Sequence, residues 1–366
     1  MSTPRNRLLL HVGMHKTGSS SIQHRLASAP GVDFDYLDLG RGPNHGGAMF
    51  AAFDSAPENY DLLRRLGTSA EEARAIGDEV RRRLAERLAR PGPRLRIVSG
   101  EAITLIDPAG LERLREFVLP LATLEVLAYV RPPRSFMESA FQQRVRGGTG
   151  TLNFASLYPV YRKRFLKFEQ VFGRSRMRLV PFDVASFRGR DVVADLCDRL
   201  GVPAPEGPPA ALNSAQSRRA TSLLYTYRKF GATAAAGQAG IRDSKAMVLA
   251  LQSLRGPKLR FAGAHVAEVL ARFANDRRWV EARLRAKLDE GEEPEGDHVV
   301  REEADLFRYD AHQLEWLRQW GDHPLLSPRM GPQDVAGMMH AALPGMVEQF
   351  REWKRSRAAV VAGIPS

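Results

Sequence analysis

The sequence predicts an α/β protein, a parallel sheet flanked by helices, with a helical C-terminal part. Three observations carry that expectation. Over the first two hundred residues, short apolar runs alternate with stretches of helical periodicity, the pattern of parallel strands joined by crossover helices. The clearest of those runs, residues 124–130 (LEVLAYV), suits a strand buried on both faces. After Gly201 the strand-like runs stop and helical spacing takes over.

The elements follow in order. Residues 7–12 (RLLLHV) form a short apolar run that stops at a glycine turn, as a buried strand does. A helix is expected over 19–27, opened by serines that can cap its first turn. Residues 34–39 (FDYLDL) alternate and predict a second strand. Residues 69–89 place apolar side chains at helical spacing among Glu and Arg, the signature of an exposed amphipathic helix. A strand is expected over 95–99 (LRIVS), and a helix over 108–119 with Pro108 in its first turn. Helices over 134–146 and 154–172, a strand over 177–180 (MRLV) and a helix over 191–200 complete the pattern. In such sheets ligands bind at the carboxyl ends of the strands, so the positions to search lie just after Val12, Ser99 and Val130.

Residues 201–209 (GVPAPEGPP) read as a linker and set a boundary between a core over 1–204 and a mainly helical region over 205–366. Within the latter, 232–240 is a loop of small residues and 290–297 (EGEEPEGD) an acidic turn. Residues 333–357 make a terminal amphipathic helix interrupted at Pro344. No repeat of solenoid period is present.

Composition narrows the class. The 366 residues are 43% hydrophobic and 26% charged, which excludes a disordered or fibrous chain. No run reaches the roughly 18 apolar residues of a membrane span, and Leu8 to Leu10 are cut off at once by His11, too soon for a secretory leader. The lone Cys197 can form neither an internal disulfide nor a thiolate metal site, and a cytoplasmic setting is expected. The balance of 54 basic against 42 acidic residues, +12, favours anionic partners. Only 8 of the 54 bases are lysine, so each lysine invites a question. No zinc finger, helix-turn-helix or aromatic-rich RNA-binding signature is present, and nucleic acid is not an expected partner.

The most informative segment is His11-Val-Gly-Met-His-Lys-Thr-Gly-Ser-Ser-Ser-Ile-Gln23, between an expected strand and an expected helix. That placement gathers backbone N–H groups and the positive end of a helix dipole at one spot, which suits phosphate. Gly13 and Gly18 let the chain turn tightly, and Thr17, Ser19, Ser20 and Ser21 add hydroxyls. A nucleoside-triphosphate loop, GxxxxGK[ST], has lysine right after the second glycine. Here Ser19 follows Gly18, and the lysine stands two residues before it, at Lys16.

Lys16-Thr17-Gly18-Ser19-Ser20 resembles the 5′-phosphosulfate loop of sulfotransferases that use 3′-phosphoadenosine-5′-phosphosulfate (PAPS), with His15 where that family usually has proline. The resemblance is to bacterial members with a phosphate-loop-type parallel sheet. The family's other signature is an arginine at a strand end and a serine eight positions on. Tyr129-Val-Arg131 and Ser139 match it. The resemblance implies that His15, Lys16, Thr17, Gly18, Ser19, Ser20 and Ser21 bind the donor's 5′ end and that Arg131 and Ser139 bind its 3′-phosphate. An arginine fork and a hydroxyl suit a dianionic phosphate. It further implies that Lys16 neutralises the leaving oxygen and that no metal is needed, and no metal-ligand cluster is visible in the sequence. The region after residue 205 is then expected to pack on the core and shape the acceptor site.

Two residues stand as the general base that takes the acceptor's proton. Glu101 (IVSGE) follows a strand at the carboxyl edge, where some bacterial members have Ser-Ser-Glu, and it equally reads as a carboxylate at a helix start. His45 lies in Gly42-Pro-Asn-His45-Gly-Gly, a loop whose glycines suggest close approach to ligand, and equally reads as a solvated histidine. The acceptor, a hydroxyl or amine of unidentified chemistry, is weakly pointed toward an anionic glycan or a small metabolite. The competing readings are a phosphate-loop nucleotide kinase or NTPase, which the lysine position disfavours, and a non-catalytic anion-binding protein on the same fold.

Overall fold

A computed structural model describes residues 6–29, 33–207, 216–231, 237–321, 327 and 330–362. The chain divides into two compact units, each drawn from separate stretches. The first comprises Met1–Phe136, Pro159–Ser214 and Leu270–Glu290; the second comprises Met137–Tyr158, Ala215–Val269 and Gly291–Ser366.

The first unit is built on five strands, β1 (Asn6–His11), β2 (Phe34–Tyr36), β3 (Leu95–Ser99), β4 (Ala122–Val130) and β5 (Met177–Pro181), in spatial order β2-β3-β1-β4-β5. Every pairing is parallel. Leu8, Leu9 and Leu10 of central β1 are buried, as is the run from Val126 to Val130 of β4, because helices cover both faces. The helices of this unit are α1 (Ser19–Ala27), α2 (Gly46–Phe53), α3 (Asp61–Arg65, which buries no residue), α4 (Ala70–Ala89), α5 (Pro108–Val118), the start of α6 (Pro133–Arg146), and, further along the chain, α8 (Tyr161–Phe172), α9 (Val192–Leu200) and α13 (Ala274–Leu284). β1 departs through α1 toward one edge of the sheet and β4 departs toward β5 at the other. The crevice between the carboxyl ends of β1 and β4 is therefore the switch point at which open α/β sheets take ligands.

Local chemistry sets the helix starts. Ser69 and Glu72 close a reciprocal capping box at the head of α4. Asp107 accepts from the Gly110 N–H ahead of Pro108 in α5, and Asp191 accepts from Val193 in α9. α8 is capped from a distance: the Asp276 carboxylate of α13 accepts from the backbone N–H groups of Tyr161 and Arg162 at 2.9 and 2.8 Å.

The second unit holds the rest of α6, α7 (Phe154–Leu157), α10 (Arg218–Phe230), α11 (Gly237–Ala250), most of α12 (Gly263–Arg272), α14 (Ala311–Arg318) and α15 (Pro332–Ala362). It also holds a small parallel pair, β6 (Arg260–Phe261) with β7 (Val299–Val300).

Several sequence expectations need correction. The single helix expected over 154–172 is two, α7 and α8. Pro159 bars Tyr158 from helical ψ, and Val160 turns left-handed at φ 45°. The expected strand over 34–39 ends at Tyr36. A strand pair does occur after residue 201, too short to leave a periodic signal. Pro344 does not interrupt α15, because that helix packs on α10 and α11 and the packing holds it across the missing N–H. Of the small-residue loop expected over 232–240, residues 237–240 begin α11 while 232–236 lie outside the described residues, as do 208 and 209 of the expected linker.

Close packing reverses a helix-propensity rule in α4. A Cβ at Gly77 would sit 2.3 Å from the Ala51 carbonyl oxygen of α2, whereas one at Gly337 in α15 would meet nothing within 4 Å. Gly337→Ala should therefore stabilise by up to about 1 kcal/mol, and Gly77→Ala should destabilise by about 1–3 kcal/mol. Urea denaturation of the two variants checks the opposite signs.

Candidate functional site

The segment after β1 wraps the carboxyl edge of the sheet before entering α1. Its path is unusual at two residues either side of Thr17: Lys16 is left-handed at φ 61° and Gly18 at φ 74°. Gly18 is also the N-cap of α1. No side chain caps that helix and its first turn holds no acidic residue, while the Ser21 and Ile22 N–H groups donate to the Gly18 carbonyl. Glycine is further required at position 18 because a Cβ would lie 2.5 Å from Val192 Cγ1. At Gly13 a Cβ would fill the cradle, 2.8 Å from Ser19 Oγ and 3.2 Å from Glu101 Cγ.

The hydroxyls differ in what they can do. Thr17 is fully buried and its hydroxyl donates to the Met14 carbonyl at 2.9 Å, so it ties the loop to itself. Ser19 is buried with its Oγ 3.4 Å from that of Thr17. Ser20 is exposed and Ser21 half-buried on the first turn of α1.

Two distant segments meet this loop. The Arg131 guanidinium, just past β4, donates from Nη1 to the Lys16 carbonyl at 3.2 Å and from Nε to Ser135 Oγ at 3.2 Å. Its own carbonyl accepts the Tyr161 hydroxyl. Glu101, just past β3, pairs through Oε2 with His15 Nδ1 at 2.9 Å, both side chains about one-third exposed. The His15 ring stacks on Phe136, with centroids 6.2 Å apart and planes at 21°. Arg164 of α8 lies over the same Phe136 ring, with its Cζ 5.6 Å from the centroid, and donates to Thr104 Oγ1 at 3.2 Å. Burial lowers the Arg164 guanidinium below its ordinary value, while the Glu101 charge and then Tyr161 pull it back up. Arg164 escaped the sequence reading. The available signal was a charge on the apolar stripe of Tyr161, Phe165 and Phe168, faint in a chain with so many arginines.

His45 takes another place. It is 1% exposed, stacks on Tyr36 with centroids 4.8 Å apart, and accepts the Ser99 N–H at Nδ1, 3.2 Å away. Instead of lying in a ligand-facing loop it sits at the N-terminus of α2, and its flanking glycines serve backbone packing: a Cβ at Gly100 would lie 2.2 Å from the Gly46 nitrogen. His11 is equally buried, its Nδ1 2.7 Å from Ser99 Oγ. Ser139 belongs to the second unit, buried, with no hydrogen-bond partner for its Oγ among the described residues.

No family model matches this chain, and no curated protein matches it. Among solved structures it is similar to a sulfotransferase from Alicyclobacillus acidocaldarius, at 18% identity and a TM-score of 0.42, over 79% of this chain and 98% of that one. It is also similar to the sulfotransferase domain from the curacin biosynthetic pathway, at 20% identity and a TM-score of 0.33, over 59% of this chain and 80% of that one. Among the described residues, no helix is long and apolar enough to cross a membrane.

The two buried histidines make stability pH-dependent. Burial lowers the pKa of each from 6.5 to about 4, opposed at His11 by Glu101 and at His45 by the Leu37 carbonyl and Asp38. Between those values the unfolded chain binds protons that the folded chain refuses. The stabilisation is thus present above pH 6.5 and lost as pH falls toward 4. Each histidine should contribute on the order of 1 kcal/mol per pH unit in that window. Urea midpoints between pH 7 and pH 5 check this, and His45→Gln should flatten the slope.

Proposed function

We propose that this protein is a sulfotransferase that moves a sulfuryl group from PAPS to a hydroxyl or amine of its acceptor. The observation that carries the reading is the Arg131–Lys16 contact: two anion-binding segments, 115 residues apart, are bonded to each other at the sheet's switch point. In this reading the uncapped start of α1, with Ser19 and Ser20, holds the donor's 5′-phosphate. Arg131 holds the 3′-phosphate. Lys16 neutralises charge growing on the bridging oxygen as the sulfur–oxygen bond breaks. Thr17 acts through the loop's shape, its hydroxyl hydrogen being engaged by Met14. His45 is left out of proton transfer, since its Nδ1 is occupied and the ring is packed away.

The donor itself supplies the activated sulfur; the chain's residues bind it, orient it and manage charge. We assign the reaction to the cytoplasm. The support is that the sequence has a single cysteine, Cys197, and so no internal disulfide. An anionic glycan or small metabolite stays the favoured acceptor class, on the net charge of +12.

Calorimetry with 3′-phosphoadenosine-5′-phosphate (PAP) should show binding without magnesium, while tighter binding of magnesium-ATP would favour the kinase reading. Lys16→Ala should lower turnover roughly 10²–10³-fold. Arg131→Ala should weaken PAP roughly 10–100-fold more than it weakens adenosine 5′-phosphosulfate, which lacks the 3′-phosphate. Equal losses on both ligands would remove Arg131 from its assigned role.

A further inference from the structure

Building on the donor-loop reading, we propose that His15 is the base that accepts the acceptor's proton, through Nε2, and that Glu101 is the positioning residue that holds its ring. Glu101 is then not the base itself.

The hydrogen-bond chemistry leads there. A carboxylate oxygen only accepts, so the 2.9 Å contact between Glu101 Oε2 and His15 Nδ1 places the imidazole hydrogen on Nδ1. The lone pair then resides on Nε2, for which no protein partner occurs among the described residues. The stack on Phe136 fixes the plane of the ring, and Arg164 braces the same phenyl ring from α8. The alternatives are out of reach: His11 and His45 are sealed in the interior, Nδ1 at Ser99 and Nε2 buried, and direct use of Glu101 Oε2 would break its bond to His15. His15 also precedes Lys16 in the chain, so base and leaving-group neutraliser ride on one loop.

The proton balance closes within the pair. An acceptor oxygen uses its lone pair to form the new bond to sulfur, and the bond from sulfur to the bridging phosphate oxygen breaks with its electrons going to PAP. The acceptor's hydrogen passes to His15 Nε2, and the imidazolium is held against the Glu101 carboxylate until it releases the proton to solvent. The other ionisable groups close to this pair are Lys16 on the loop and those that feel the Glu101 charge, namely His11 on β1, Tyr60 before α3 and Arg164 on α8.

The test uses the full chain with PAP, and with PAPS where water serves as acceptor, so that release of sulfate is the readout. Nitrogen-15 NMR of the PAP complex should show His15 as the Nδ1–H tautomer, and Glu101→Gln should lose that preference. His15→Ala and His15→Gln should still bind PAP while releasing sulfate roughly 10²–10⁴-fold more slowly. Added imidazole should restore part of the rate to His15→Ala and none to Glu101→Ala. An Nε2–H tautomer in the wild type, full activity in His15→Ala, a defect that imidazole leaves untouched, or a wild type that binds PAP yet releases no sulfate would each overturn the proposal. Failure of the wild type to bind PAP would instead overturn the donor reading beneath it.

Discussion

The bond from the Arg131 guanidinium to the Lys16 carbonyl is the constraint on which the site depends. A left-handed backbone at a residue with a side chain costs on the order of 1 kcal/mol or more. A hydrogen bond from a charged donor returns a comparable amount. Lys16 holds its φ of 61° while its carbonyl is claimed by the end of β4. Arg131 is itself fixed from both sides, its carbonyl by Tyr161 and its Nε by Ser135. The loop after β1 therefore takes its shape from the strand beside it, and the parallel register of β1 with β4 brings the two chain segments to the same edge.

The same edge gathers a second layer of contacts. Ser99, at the end of β3, faces His11 in the register and meets both buried histidines, one through its hydroxyl and one through its backbone N–H. Beyond it the chain turns at Gly100, whose N–H reaches the His11 carbonyl, and delivers Glu101 to His15. The close backbone approach of Gly100 to Gly46 lets α2 begin directly beside this turn. A single strand end thus supplies packing on one side and a paired carboxylate on the other.

Much of this was legible in the sequence, and the remainder has identifiable physical causes. The strands other than β2, the serine-opened helix α1 and the capped helices α4, α5 and α9 carry local signals, and each lies within a residue or two of where periodicity and caps put it. α2 was missed because its residues, GGAMFAAF, are apolar on every side and leave no amphipathic stripe. The break between α7 and α8 turns on Pro159 acting backward on Tyr158, a signal that was present and outweighed by the apolar periodicity around it. In the site, the loop residues and Arg131 were readable because strand, turn and helix are contiguous there. The His15–Glu101 pair spans 86 positions and the Arg164 brace joins through Phe136, so neither leaves a local trace. The glycines around His45 did report close approach, but of backbone to backbone.

The carboxylate that caps α8 has a bearing on biosynthesis. Tyr161 and Arg162 find their partner in Asp276, 115 and 114 positions downstream, on a helix that belongs to the first unit although the chain has meanwhile contributed most of α10, α11 and α12 to the second. A ribosome adding about 5–20 residues per second needs on the order of ten seconds to travel that interval. During it the head of α8 is translated, extruded and waiting, its amide groups served only by water. The first unit cannot mature from the N-terminus alone, and a nascent chain stalled before Asp276 carries an unfinished helix end for as long as the stall lasts.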